Sequence, residues 1–134
     1  MNYTTLRAEQ IAAYAESSCV EMEADVSAGD ILDRLKNGKA VLEVRSFGFA
    51  VLKLKPGVEG RLMPHLWLLY IDPSQRNLRN GHRFVQQLLS KYSRYYAMTV
   101  HCYGSRRRAF FGRLGFRIES REGQLRVMTT SEVR

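Results

Sequence analysis

Residues 65–82 read HLWLLYIDPSQRNLRNGH, and the fold turns on how this stretch is taken. His65–Asp72 is almost wholly apolar, the composition of a strand covered on both faces. Pro73 stops it, because proline has no N–H to give to a ladder. A basic turn follows. Helical spacing then begins at Asn80, where Phe84, Val85, Leu88, Leu89 and Tyr92 fall on one face of a helix over 80–93. A strand that enters a helix through a short turn leaves the first N–H groups of the helix without partners. Together with the helix dipole, these bind phosphate. Gly81 lets a ligand come close to the main chain, and Arg76, Arg79, His82 and Arg83 surround that point with donors.

The flanking elements follow from period and punctuation. Leu6, Ile11, Ala12 and Ala15 predict a helix over Thr4–Ser18, capped by Thr4 or Thr5. A second helix fits Ser27–Lys36, with Ser27 as N-cap and Asn37-Gly38 as the stop. Residues 40–55 alternate at spacing two on either side of Ser46–Gly48 and read as a hairpin closed by Pro56-Gly57, with a loop over 58–63. Beyond the central helix come a strand over Ala97–Tyr103 and a helix over Arg106–Leu114, with Ala109, Phe110 and Leu114 inward and Gly115 as a left-handed cap. Two strands, Phe116–Ser120 and Gln124–Thr130, flank the turn at Glu122-Gly123. The order α-α-β-β-β-α-β-α-β-β describes a mixed α/β domain, and no linker or repeat divides residues 1–134.

Composition narrows the function classes. The 134 residues are 45% hydrophobic and 25% charged, as a soluble globular chain is, and no window approaches the length of a membrane span. The N-terminus lacks the apolar run of a secretory signal, and two isolated cysteines, Cys19 and Cys102, suit neither a disulfide framework nor a Cys-only metal site. A cytoplasmic protein is expected, with no membrane partner and no metal. Residues 1–67 carry a net charge of −1 and residues 68–134 a net charge of +9, for a total of +8. The basic half, with Lys91 as its one lysine, is built to meet something anionic, and arginine is the better phosphate fork.

The chain resembles the GNAT superfamily of acyl-CoA N-acyltransferases in two motifs and their spacing. The family's cofactor motif, Arg/Gln-x-x-Gly-x-Gly/Ala after a strand, is met by Arg76 at its first position and Gly81 at its last. Its second motif, an aromatic-rich helix followed by Leu-Gly-Phe, is met by Phe110-Phe111-Gly112-Arg113-Leu114-Gly115-Phe116. The likeness covers residues 40–130, with residues 1–39 standing for the variable helices on the acceptor side. It implies a mostly antiparallel central sheet with two splayed parallel strands at its centre, flanked by helices.

The resemblance also implies a site. Acetyl-CoA would lie between the strands His65–Asp72 and Ala97–Tyr103, pairing with backbone groups of Leu69, Tyr70 and Ile71 as an added strand does. Its pyrophosphate would rest on Arg76, Asn77, Leu78, Arg79, Asn80, Gly81 and His82, and Phe111 would line the same site. The thioester oxygen would take an N–H near Leu69 or Tyr70. His65, which falls where many relatives carry a glutamate, is the first choice of base for the amine, and Glu43 the second. Two departures stand out. Arg79 replaces the motif's middle glycine, which is costly only if the backbone there needs a positive φ. Phe111 replaces the tyrosine that protonates the leaving thiolate, and Tyr103 is the nearest aromatic hydroxyl in sequence. His82 and His101 lack, in sequence, the partners of a metal site or triad. The acid-rich first helices suggest a cationic acceptor: a protein lysine or N-terminus, a polyamine or an aminoglycoside-like amine. Two other readings stay open. One is a CoA-binding relative without catalysis. The other is a nucleic-acid module using Arg106–Arg108, Arg113, Arg117, Arg121 and Arg126, with Tyr95, Tyr96 and Tyr103 to stack. Monomer and homodimer are both compatible with the sequence.

Overall fold

A computed structural model describes residues 10–11, 28–57, 60–123 and 125–130. Gln10 and Ile11 are helical, and the rest of the expected helix over Thr4–Ser18 lies outside the described residues, as does the Ser27 cap. The elements are α1 (Ala28–Lys36), β1 (Ala40–Arg45), β2 (Gly48–Pro56), β3 (Leu62–Ile71), α2 (Asn80–Lys91), β4 (Thr99–Tyr103), α3 (Ser105–Gly112), β5 (Arg117–Glu122) and β6 (Leu125–Thr129). A 3-10 turn, Pro73–Gln75, stands between β3 and α2. The six strands form one sheet in the order β1-β2-β3-β4-β6-β5. β3 and β4 are parallel, whereas β1 with β2, β4 with β6 and β5 with β6 are antiparallel. This is the mixed, mostly antiparallel sheet that the resemblance implies.

Two compact units can be described separately: residues 1–53 with 67–81, and residues 54–66 with 82–134. In the first, Ile11 and Ile31 of the helical segments pack with Phe49, Val51, Trp67 and Tyr70. The hairpin turns at Ser46-Phe47, with Arg45 opposite Gly48, one residue tighter than expected. Gly48 opens β2 because any Cβ there would run into the backbone carbonyl of Tyr70. A side chain at this point would force β2 away from β3.

In the second unit, Phe84, Val85 and Leu88 of α2 are fully buried, as their spacing predicts. β3 begins at Leu62 rather than after a loop ending at residue 63. The reason is a tight closure just before it: the Gly57 N–H donates to the Arg61 carbonyl at 2.7 Å, which leaves Leu62 and Met63 free to extend. α3 also differs. Its buried residue is Phe111, while Ala109 is exposed and Phe110 and Leu114 are half-buried. Phe111 meets Phe116 edge-on at 5.2 Å beyond the helix end. The buried face of α3 is thus centred on Phe111 rather than on Ala109, Phe110 and Leu114. Gly115, at φ 95°, provides the left-handed stop.

Candidate functional site

The turn from β3 to α2 is held by its own side chains. Asp72 caps the 3-10 turn, accepting from the Ser74 N–H at 3.0 Å and from the Ser74 hydroxyl at 2.7 Å. The Asp72 N–H donates to the Phe47 carbonyl at 2.8 Å, which ties the turn to the hairpin. Arg76 folds back: its Nε donates to the Ile71 carbonyl at 2.8 Å, and its guanidinium lies 5.3 Å from the Tyr70 ring centroid. Asn80 Nδ2 donates to the Gln75 carbonyl at 3.0 Å and so anchors the start of α2 to the same turn. Arg76 is therefore a brace for the turn as well as a cation beside it.

The backbone within this brace has an unusual shape. Asn77 and Arg79 are the described non-glycine residues with positive φ, each at 63°. Left-handed residues alternating with ordinary ones turn successive N–H groups to one side, the backbone form that cradles anions. Arg79 thus occupies the conformation that the absent glycine would have taken, at a cost of about 1–2 kcal/mol. A long cation held in a strained backbone, at the entrance to a helix, is the arrangement found at ligand clamps. Asn77, Leu78 and Arg79 are exposed, and Asn80, Gly81 and His82 are half-buried in the first turn of α2.

A second cluster lies where the parallel strands pair. His65 is in register with Thr99, and Leu66 with Val100. The pair puts His65 Nδ1 2.8 Å from Thr99 Oγ1. Both side chains are shut away from solvent, His65 at 1% and Thr99 at 0% exposure. The His101 ring, two residues along β4 and half-buried, meets the His65 ring edge-on at 4.4 Å between centroids. His101 thus has a neighbour that the sequence does not reveal. Only the parallel register brings residues 65, 99 and 101 together, and parallel pairing leaves no local signature.

The other predicted residues are dispersed. Glu43 is buried on β1 in register with Ala50, 3.6 Å from Arg45 Nη1. Tyr103 ends β4 opposite Leu125, and its side chain lies outside the described residues. Phe111 is 6% exposed, with Phe110 packed edge-on at 5.0 Å, so the position where the resemblance expects a tyrosine holds a buried aromatic without a hydroxyl. Leu69 and Ile71 are half-buried and Tyr70 is buried against Phe49 at 5.5 Å. Trp67 lies beneath Lys53 at 4.6 Å and Arg34 at 5.5 Å. α1 therefore presents cations, Arg34 and Lys36, as well as Asp30 and Asp33. Cys102 is fully buried. Among the described residues no helix is long and apolar enough to cross a membrane.

No protein-family model matches the chain, and a search of curated proteins returns no match. Solved structures do match. A Trypanosoma brucei acetyltransferase is 22% identical, with a TM-score of 0.63 over 87% of this chain and 92% of that one. Arabidopsis thaliana NAA60 in complex with a bisubstrate analogue is 12% identical, with a TM-score of 0.65 over 90% of each chain. The NatC complex bound to Gag peptide and CoA gives 17% identity and a TM-score of 0.57 over 66% of this chain, which spans only 63% of that one.

Proposed function

We propose that this chain, whose fold is that of the GNAT acetyltransferases, transfers an acetyl group from acetyl-CoA to a primary amine. The observation that carries the reading is the left-handed backbone at Asn77 and Arg79 leading into α2. What speaks for a pyrophosphate there is the nest-forming left-handed backbone at Asn77 and Arg79, the N-terminus of α2 and the cationic Arg79 side chain. Acetyl-CoA supplies an activated acyl carbon and a thiolate leaving group.

The chain's own residues do the rest. The turn holds the phosphates, and β3 beyond Leu66, with Leu69, Tyr70 and Ile71, supplies main-chain groups for the pantetheine arm. An N–H at Leu69 or Tyr70 steadies the charge that develops on the carbonyl oxygen. His65 takes the proton of the acceptor ammonium through water, since its side chain is only 1% exposed. The new N–C bond forms as the C–S bond breaks, and the thiolate takes a proton from Tyr103 or from solvent. A thiolate leaves readily near neutral pH, so the buried Phe111 does not stop the reaction.

The acceptor is a cationic amine. Residues 1–33 contain seven Asp or Glu and one Arg, and it is this acidic segment that favours a cationic acceptor. The test is thiol release from acetyl-CoA with a panel of polyamines, lysine-bearing peptides and neutral or acidic amines. The proposal expects turnover, with cationic acceptors fastest. Acetyl-CoA binding without thiol release from any amine would identify a silent relative, and faster acetylation of acidic amines would refute the acceptor class.

A further inference from the structure

We infer that the turn after α2, with the adjoining end of the sheet, is a binding surface for single-stranded nucleic acid. It shares no residue with the turn from Arg76 to Gly81 and does not depend on acetyl transfer. The chain here is of one sign: residues 82–118 contain eight Lys or Arg and no Asp or Glu. Such a stretch favours an anionic partner, but charge alone does not choose among polyanions. The aromatic rings do. In Lys91–Tyr96, each tyrosine is matched with a cation. The exposed Arg94 lies 4.9 Å from the Tyr95 ring centroid and donates from Nη2 to its hydroxyl at 3.3 Å. The exposed Lys91 lies 5.8 Å from the Tyr92 ring, and Arg61, just before β3, lies 4.3 Å from the Tyr96 ring. Tyr92 and Tyr95 are half-buried, with centroids 6.4 Å apart and planes tilted by 35°. Nucleic acid is the polyanion that alternates phosphates with flat bases, and a single strand leaves its base faces open to stack. A surface that alternates cations with flat rings complements it in both respects.

The backbone holds this surface in place. The Tyr92 N–H donates to the Leu88 carbonyl at 2.9 Å and the Tyr95 N–H to the Tyr92 carbonyl at 3.1 Å, which closes the turn. A Cβ at Gly57 would run into the Tyr96 hydroxyl, so Tyr96 packs closely on the loop that carries Arg61. The Met98 N–H donates to Thr130 Oγ1 at 2.8 Å, and the Thr130 N–H to the Met98 carbonyl at 3.0 Å, which fastens the end of the turn to the strand beside it. Thr99 is in register with Thr129, and Thr129 with Arg117. The exposed Arg117 therefore stands at the same end of the sheet, two strands and about 10 Å from Thr99, where it extends the line of cations.

The test is fluorescence anisotropy of labelled oligouridylate and oligothymidylate titrated with the full chain over a series of salt concentrations, beside a duplex RNA of the same length. The expected result is single-strand binding that weakens as salt rises, weaker binding of the duplex, and no displacement by excess acetyl-CoA. Arg94→Gln should flatten the plot of log affinity against log salt by about 0.7, as the loss of one phosphate contact does. Tyr95→Ala removes a stacking face and should weaken binding about tenfold with the slope unchanged, whereas Tyr95→Phe should stay close to wild type. Equal affinity for the duplex, or undiminished binding by Tyr95→Ala, would leave only charge and overturn the inference. Displacement by acetyl-CoA would put the nucleic acid on the cofactor turn and overturn it as well. Binding to phosphatidylserine vesicles without binding to either oligonucleotide would assign the surface to a membrane instead. Failure of both single strands to bind at low salt would refute the inference outright.

Discussion

Replacing Arg79 by glycine separates two roles that the same residue plays. Arg79 sits at φ 63°, where an L-side chain is strained by about 1–2 kcal/mol. Glycine relieves that strain but adds about 0.4–1 kcal/mol of backbone freedom to the unfolded chain. The net expectation is a gain of about 0.5–1 kcal/mol, which for a chain of this size raises Tm by about 2–4 °C. Affinity should move the other way. If the proposed cradle holds the pyrophosphate, losing the exposed Arg79 guanidinium should weaken acetyl-CoA binding about threefold to tenfold. Thermal unfolding and calorimetric titration on the same variant read both effects. Gly104→Ala is the control of opposite sign. Gly104 has φ 88° and ψ 157°, and a Cβ there meets nothing within 4 Å. Its cost, about 1–3 kcal/mol, is therefore purely conformational. If Arg79→Gly were to lose stability by a clear margin, the left-handed backbone at the turn would be refuted as the source of strain.

Three other outcomes follow from the same packing. Gly48→Ala drives a Cβ into the Tyr70 carbonyl and should cost about 1–3 kcal/mol in chemical denaturation; a neutral result would contradict the close approach of the two strands. Phe111→Tyr puts a hydroxyl among Phe110 and Phe116, so a loss of about 1–3 kcal/mol is expected, with turnover no faster than wild type. A large rise in kcat would mean that the reaction is limited by the missing acid. Arg76→Ala removes the brace on Ile71 and the stack on Tyr70, and should cost about 1–2 kcal/mol as well as acetyl-CoA affinity; Arg76→Lys should recover little, because a lysine cannot reproduce the planar stack.

What the sequence disclosed follows from which interactions are local. The strand–turn–helix unit is legible because its signals are consecutive: an apolar run, Pro73, a basic turn, and helical spacing from Asn80. The positive φ at Arg79 could be framed from sequence only as a condition, since arginine gives no hint of left-handed backbone. α3 buries Phe111, which meets Phe116 beyond the helix, rather than Ala109. β3 takes in Leu62, Met63 and Pro64 although a proline is unusual inside a strand, so its start is not legible from the sequence. The cluster of His65, Thr99 and His101 depends wholly on parallel register across a separation of 34 residues from His65 to Thr99. No property of the residues between them announces it.

The central claim is that the turn from Arg76 to Gly81 is an acetyl-CoA cradle. Calorimetric titration of the wild-type chain with acetyl-CoA, beside the Arg76→Ala, Gly81→Trp double variant, tests it most directly. The account predicts micromolar binding by the wild type and loss of binding by the variant, with circular dichroism showing that the variant remains folded. Absence of binding by the wild type, or undiminished binding by the folded variant, would contradict it.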